Sequence, residues 1–380
     1  MPRPARPTAR QRLARRYWDN RAKRDALYAI WGDEAVRQPE TADVEAFARS
    51  GEAAARVLLP YVHPDAVALE IGCGIGRLLR PVARWCKEAI GIDVSAEMVA
   101  QSRAYLAGTP NARVLHGDGA SLSGIPDGSV DFVYSLLCLI HVDKRSAYCY
   151  LQEIRRVLKP NGRALLQFQN MLSPRGLDLF RSVLHLDYPF EFYTPDEVHY
   201  LLESVGLDTY GEILIDEFVG VAALRGDVCA WIREWQDGFR AERIGRRGFF
   251  AEGGAGLDST GAVETIVVNE TDRWRPCEVT ASIYRRVGAE LAEHSSVSGI
   301  LYMPPRRSVA VRVTFDGHGR GLALDADGPH VAFPQRRADP PPQDGPLEAH
   351  LTVLPSGFPR TDRTARLFPR CCAVLSLGER

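Results

Sequence analysis

The residues best suited to hold a ligand are Ala68-Leu-Glu-Ile-Gly-Cys-Gly-Ile-Gly-Arg77 and, further on, Gly91-Ile-Asp93. An apolar run closes on an acid, Glu70, and three alternating glycines, Gly72, Gly74 and Gly76. Glycines in a tight turn let a ligand approach main-chain N–H groups at the start of a helix. A second apolar run ends in Asp93, about twenty residues after the turn, where a carboxylate can accept hydrogen bonds from a ribose diol. The chemistry implied is recognition of a nucleotide-type cofactor.

Strands and helices must alternate to hold these groups in place. Val67 to Ile71 reads as a buried strand, and the second strand ends at Asp93. Ser95 then suits a helix N-cap, with Glu97 in the first turn. Ala112 to Gly119 reads as a short strand ending in an acidic turn at Asp118. The apolar run Val130 to His141 is too short to span a bilayer. Ala147 to Leu158 has helical periodicity and stops at Lys159-Pro-Asn-Gly162, and Ala164 to Phe168 gives another strand. Residues 171–193 interrupt the pattern with several aromatic residues. Thr194-Pro-Asp-Glu197 is a capping box whose helix runs to Val205, and two strands follow at 208–215 and 218–224. The alternation predicts an α/β fold with a doubly wound, mostly parallel sheet.

The order Glu70-x-Gly72-x-Gly74-x-Gly76, Asp93, Met98, Asp118 and Ser135 resembles the class I S-adenosylmethionine-dependent methyltransferase family over roughly residues 10 to 225. The resemblance implies a seven-stranded sheet closed by an antiparallel hairpin. It also implies a cofactor site with Gly72, Gly74 and Gly76 under the methionine portion and Glu70 near its amino end. Asp93 would take the ribose hydroxyls, Met98 would pack on the adenine and Asp118 would accept from its amino group. Ser135 would open the loop facing the methyl group. A helical cap over 1–62 would fold across the cofactor and bring Tyr17 and Trp31 to the acceptor, while the insertion at 171–193 would bring His185, Tyr188 and Phe192. Each residue also has a plainer reading: Met98 as core, Asp118-Gly119 as a turn, the cap as amphipathic packing. The rival cofactor is NAD, whose fingerprint needs a third glycine where this chain has Arg77.

His141 is the candidate general base, placed by the sequence at the end of the strand that Ser135 belongs to; packing at the strand end is its alternative role. His185, Asp187 and Glu191 are its rivals. The stretch after Tyr134 is Ser-Leu-Leu-Cys, without the Pro-Pro-Tyr signature of enzymes methylating adenine or glutamine amines. It has no Pro-Cys nucleophile for cytosine either. The expected function is therefore methylation of a small organic acceptor, by O-methylation in secondary metabolism. A non-catalytic S-adenosylmethionine-binding protein working through its C-terminal part is the alternative.

A chain of 380 residues suggests two domains. The net charge of −1 gives no field for nucleic acid or an anionic membrane, although six arginines crowd the first 18 residues. Only four of the 47 basic residues are lysines, a pattern closer to codon bias than to a binding surface. The eight cysteines show no C-x-x-C pair and no zinc spacing with histidine, so no metal is expected. With no secretory or transmembrane segment in view, a cytoplasmic location is expected; a homo-oligomer stays open. Domain boundaries are expected at 63–225 for the cofactor domain, with a helix over Asp227 to Arg243 and a glycine-rich linker within 226–260. An accessory β-sandwich-like domain would occupy 261–380, where Ser308 to Phe315 alternates with period two.

Overall fold

A computed structural model of the chain describes residues 8–31, 44–185, 190–215, 218–227, 239–247, 261–287, 290–315, 323–333, 336–337, 347–355 and 372–376. It divides into two compact units, Met1–Trp231 and Ile232–Arg380.

In the first unit the apolar runs become strands β1 (Val67–Ile71), β2 (Glu88–Asp93), β3 (Ala112–His116), β4 (Val130–Ser135) and β5 (Leu158–Asn170). The two-residue β6 (Phe192–Tyr193) and the hairpin β7 (Asp208–Ile215) and β8 (Phe218–Leu224) complete the set. The sheet order is β3-β2-β1-β4-β5-β8-β7, with β6 attached to β5. Strands β1 to β5 pair in parallel, and β8 is antiparallel to both β5 and β7. The seven expected strands are present, and β6 is an addition.

Helices α1 (Ala9–Trp31) and α2 (Val44–Ala55) precede the sheet; α3 (Leu79–Ala83), α4 (Ala96–Tyr105) and α5 (Lys144–Val157) join its strands. Helices α6 (Pro174–Val183) and α7 (Pro195–Ser204) follow β5. Continuous apolar strands such as β1 suit a sheet covered on both faces. Tyr150, Leu151, Ile154 and Val157 of α5 are buried in a core shared with Leu69, Val133 and Leu166, each side chain stabilising the fold by about 1.5–3 kcal/mol. Ser95 accepts from the Met98 N–H and Thr194 from the Glu197 N–H, so both expected caps form. Helix α1 is broken at Asp25, whose backbone is extended (φ −167°, ψ 102°).

Two local expectations change. The run Val130 to His141 is not one strand: β4 stops at Ser135, and Leu139–His141 is a separate helical turn. Strand β5 begins at Leu158, six residues before the expected Ala164, because Val130 already pairs with Leu158 before an irregularity in the register.

Among the described residues, the strand pairs of the second unit are all antiparallel. Strands β9 (Phe239–Arg247), β10 (Gly261–Asn269), β11 (Arg275–Val287), β12 (Glu290–Met303), β13 (Arg307–Phe315) and β14 (Ala323–Ala326) are followed by β15 (His330–Ala332), β16 (Arg336–Arg337), β17 (Leu347–Pro355) and β18 (Cys372–Ser376). They form one sheet ordered β14-β13-β10-β9 and another ordered β15-β12-β11-β17-β18, with β16 on β12. Val309, Val311 and Val313 are buried while Ala310 and Arg312 between them are half-exposed, as the period-two pattern requires. The helix expected over Asp227 to Arg243 is corrected at its end: residues 239–243 belong to β9, whose long pairing with β10 overrides local helical tendency. The glycine-rich stretch 251–256 and the Pro-rich 339–342 lie outside the described residues. Asn269 is 1% exposed, and its amide donates to the carbonyls of Arg273, Met303 and Pro304, making this Asn-x-Thr motif a loop anchor.

Among the described residues no helix is long and apolar enough to cross a membrane, and no cluster of His, Cys, Asp or Glu is arranged to hold a metal.

Candidate cofactor and acceptor site

The glycine loop leaves β1 through Gly72, whose N–H donates to the Ile92 carbonyl at 2.8 Å. Gly72 has φ +75°, and a Cβ there would meet the Cys138 sulfur at 2.1 Å. Gly74 has φ +54°, and a Cβ on it would press on Ile30 at 2.6 Å. Both positions need glycine for backbone conformation and for close approach. The Gly74 N–H donates to Asp93 Oδ2 and the Ser95 N–H to Asp93 Oδ1, each at 2.8 Å. The tip of β2 is thereby locked to the loop, and each carboxylate oxygen keeps acceptor capacity for a ligand hydroxyl. Burial raises the Asp93 pKa against the opposing effect of these two N–H bonds.

Glu70 is 3% exposed and accepts from the Tyr134 hydroxyl at 3.1 Å. Burial pushes its pKa up to about 8, only partly offset by Tyr134 and by the charge of Arg77. A buried carboxyl group facing a cavity, and short of cationic partners, fits the ammonium of an amino-acid moiety.

Helix α1 crosses the segments that follow the carboxyl ends of three strands. Asp19 Oδ1 accepts from the Ser95 hydroxyl at 2.6 Å and from the Glu97 N–H at 3.2 Å, adding a second cap to α4 after β2. Arg15 donates to the Gly117 carbonyl after β3, and Gln11 to Ser146 on the helix after β4. Between α1 and the strand ends lies a cavity of about 530 Å³, within the roughly 300–1,000 Å³ usual for small-molecule sites. One end is the glycine loop with Glu70, Asp93 and Met98; the lining also includes Tyr17, Trp18, Arg21, Leu137, His141 and Phe190.

Of the sequence-predicted residues, Glu70, Gly72, Gly74, Asp93, Met98, His141 and Tyr17 line this cavity. Gly76 lies in the loop beneath Leu106 and is not part of the lining. Asp118 is turned onto its own loop, accepting from the N–H groups of Ala120 and Ser121 and from the Ser121 hydroxyl, and its neighbour Gly119 reaches the cavity instead. Ser135 is fully buried and donates to the Ile71 carbonyl at 3.1 Å; Leu136, Leu137 and Cys138 present themselves in its place. Leu137 does so with φ +58°, a strained backbone for a branched residue.

His185 is exposed and away from the cavity, and Phe192 packs against Phe180 with ring centroids 5.3 Å apart. The Trp31 side chain, Tyr188 and Asp187 lie outside the described residues. Glu191 faces Arg10 at 3.6 Å. The insertion instead contributes Phe190, because the Glu191 N–H bonds to the Ile140 carbonyl and fixes that stretch beside the turn carrying His141.

His141 is held on that turn, its ring between Trp18 at 5.2 Å and Phe190 at 4.7 Å, both edge-on. Burial, and then the charge of Arg21, lower its pKa to about 4. The imidazole is thus neutral at ordinary pH. Sequence reading missed Arg21, Tyr150 and Cys138 as lining residues. The spacing Ala14, Trp18, Arg21, three to four apart on α1, was the available signal for the first of them.

Residues 69–166 match a family model described as a methyltransferase domain. This segment is a methyltransferase domain. It holds the glycine loop, Asp93 and the His141 turn, and S-adenosylmethionine is the cofactor its donor set fits: a buried acid, a diol-accepting carboxylate and Met98 beside them. The chain is 29% identical over 183 residues to "Probable methyltransferase ltbC" of Aspergillus luteorubrus, covering 43% of this chain and 64% of that protein. It is 34% identical over 125 residues to 27-O-demethylrifamycin SV methyltransferase of Amycolatopsis mediterranei, covering 32% and 45%. It thus spans less than two thirds of either relative. Among solved structures, geranyl diphosphate C-methyltransferase of Streptomyces coelicolor is 18% identical with a TM-score of 0.45, over 58% of this chain and all of that one.

Proposed function

We propose that the protein transfers a methyl group from S-adenosylmethionine to a hydroxyl of a small organic molecule, in the manner of secondary-metabolite tailoring. The observation that carries this reading is the continuous cavity joining the cofactor loop to the aromatic-walled His141 turn. The rifamycin methyltransferase relative, by its name an enzyme acting on a small natural product, supports the substrate class.

Bound S-adenosylmethionine supplies an electrophilic methyl whose thioether leaves without a proton. The chain's own residues bind, orient and exclude water. Glu70 would hold the ammonium, Asp93 the ribose hydroxyls and Met98 the purine. Alignment of the two reactants is worth up to about 7–11 kcal/mol. His141, with its pKa near 4, is too weak a base to take a proton from a phenol-like hydroxyl titrating near 10. It acts as a neutral hydrogen-bonding group that orients the acceptor oxygen. That oxygen loses its proton to solvent before the site closes and then forms the O–CH3 bond as the S–CH3 bond breaks.

Calorimetry tests the reading. S-adenosylhomocysteine should bind the wild type, and Asp93→Ala should weaken binding at least tenfold, as loss of charge-assisted hydrogen bonds of about 1.5–3 kcal/mol implies. NADH should not bind. An unchanged affinity in the variant would remove Asp93 from the site.

A further inference from the structure

We infer that the acceptor is a flat, largely apolar molecule carrying a carboxylate, and that Arg21 is the residue that selects for it. The inference rests on the methyltransferase reading of the same cavity and adds the class of its second substrate. The charges along the lining divide unevenly. Glu70 and Asp93 belong to the cofactor loop, where Arg77 lies within the influence of Glu70. Arg10 faces Glu191 at 3.6 Å. Asp143 is occupied as the N-cap of α5, accepting from the Ser146 N–H and hydroxyl.

Arg21 is set apart by its place: Arg77 likewise has no ion pair among the described residues, but it lies at the Glu70 end of the cavity and donates to the Ser50 hydroxyl. Among the described residues the Arg21 guanidinium has no acid partner; it donates to the Tyr17 hydroxyl at 3.3 Å and lies over that ring, with 5.6 Å to the centroid. Its position on α1 is one turn beyond Trp18, whose ring touches His141, so both side chains lie on the helix face turned to the cavity. Trp18, Leu137, Ile140 and Phe190 make the neighbouring wall apolar. A half-buried guanidinium beside such a wall, with a fork of free N–H donors, matches a planar carboxylate better than a neutral group. The hydroxyl to be methylated then lies toward His141.

The test uses the full chain loaded with S-adenosylhomocysteine. The probes are 4-hydroxybenzoate, 4-hydroxycinnamate and 6-hydroxy-2-naphthoate, each compared with its primary amide by calorimetry. At least one carboxylate should bind tenfold or more tightly than its amide. Arg21→Gln should abolish that ratio while leaving S-adenosylhomocysteine affinity within twofold, and Arg21→Lys should restore part of it. A general loss of folding would weaken carboxylate and amide alike and would not move the ratio. If no carboxylate outperforms its amide, or if the advantage survives in Arg21→Gln, the assignment is overturned. Failure of the underlying reading shows separately, as absence of S-adenosylhomocysteine binding before any probe is added.

Discussion

Glu70 and His141 are both displaced from their ordinary titration ranges by burial, in opposite directions, because burial disfavours the charged form of each. For Glu70 the folded-state pKa of about 8 lies above its ordinary 4.5. Between those values the unfolded chain gives up the proton first, so this group's contribution to stability falls as pH rises from about 4.5 to 8. Glu70→Gln should therefore raise the melting temperature more at pH 8 than at pH 5, while weakening S-adenosylhomocysteine binding. An ammonium beside Glu70 favours its ionised form, so binding below pH 8 should release a proton. Binding enthalpies measured in phosphate and in Tris should differ for the wild type and coincide for Glu70→Gln. His141 should show no titration of its ring resonances between pH 5 and 8, with a midpoint near 4 that rises in Arg21→Gln. A midpoint near 6.5 would restore it as a candidate base.

At the scale of elements, α1 is fastened over the strand ends by side chains. Asp19 reaches Ser95 and Glu97 at the start of α4, and Gln101 of α4 donates to the Ala22 carbonyl. Losing a cap of this kind costs about 1 kcal/mol. Asp19→Ala should accordingly speed amide exchange at Glu97, with a fall in stability of that order. Asp19→Asn should retain most of the protection. Equal exchange in all three proteins would show that α1 is not held through Asp19.

At the scale of the whole molecule, β9 belongs with β10 in the second unit, so a cut after residue 250 would strip that sheet of a strand. The expected outcome is that residues 1–231 form a folded fragment binding S-adenosylhomocysteine as the full chain does. Residues 232–380 should melt at a higher temperature than 251–380, in which the edge of β10 is exposed. If 1–231 loses binding, the two units depend on one another for the site.

The sequence alone determined what local chemistry and periodicity can specify. The apolar runs located β1, β2 and β4, the caps at Ser95 and Thr194 placed two helices, and the glycine spacing with Asp93 marked the cofactor loop. These features act over a few residues, through turn geometry, capping and burial, and need no distant partner. Tertiary structure decided what depends on facing. Ser135 turned inward because its hydroxyl finds the Ile71 carbonyl across β1, and Asp118 is satisfied by its own turn. Phe190 rather than Phe192 reached the cavity because a backbone bond to Ile140 fixed that stretch. His141 became a neutral, clamped ring because Trp18 and Phe190, far apart in the chain, close on it from two elements. The strand at β9 likewise formed where helix was expected, since pairing with β10 supplies backbone partners that local propensity does not register.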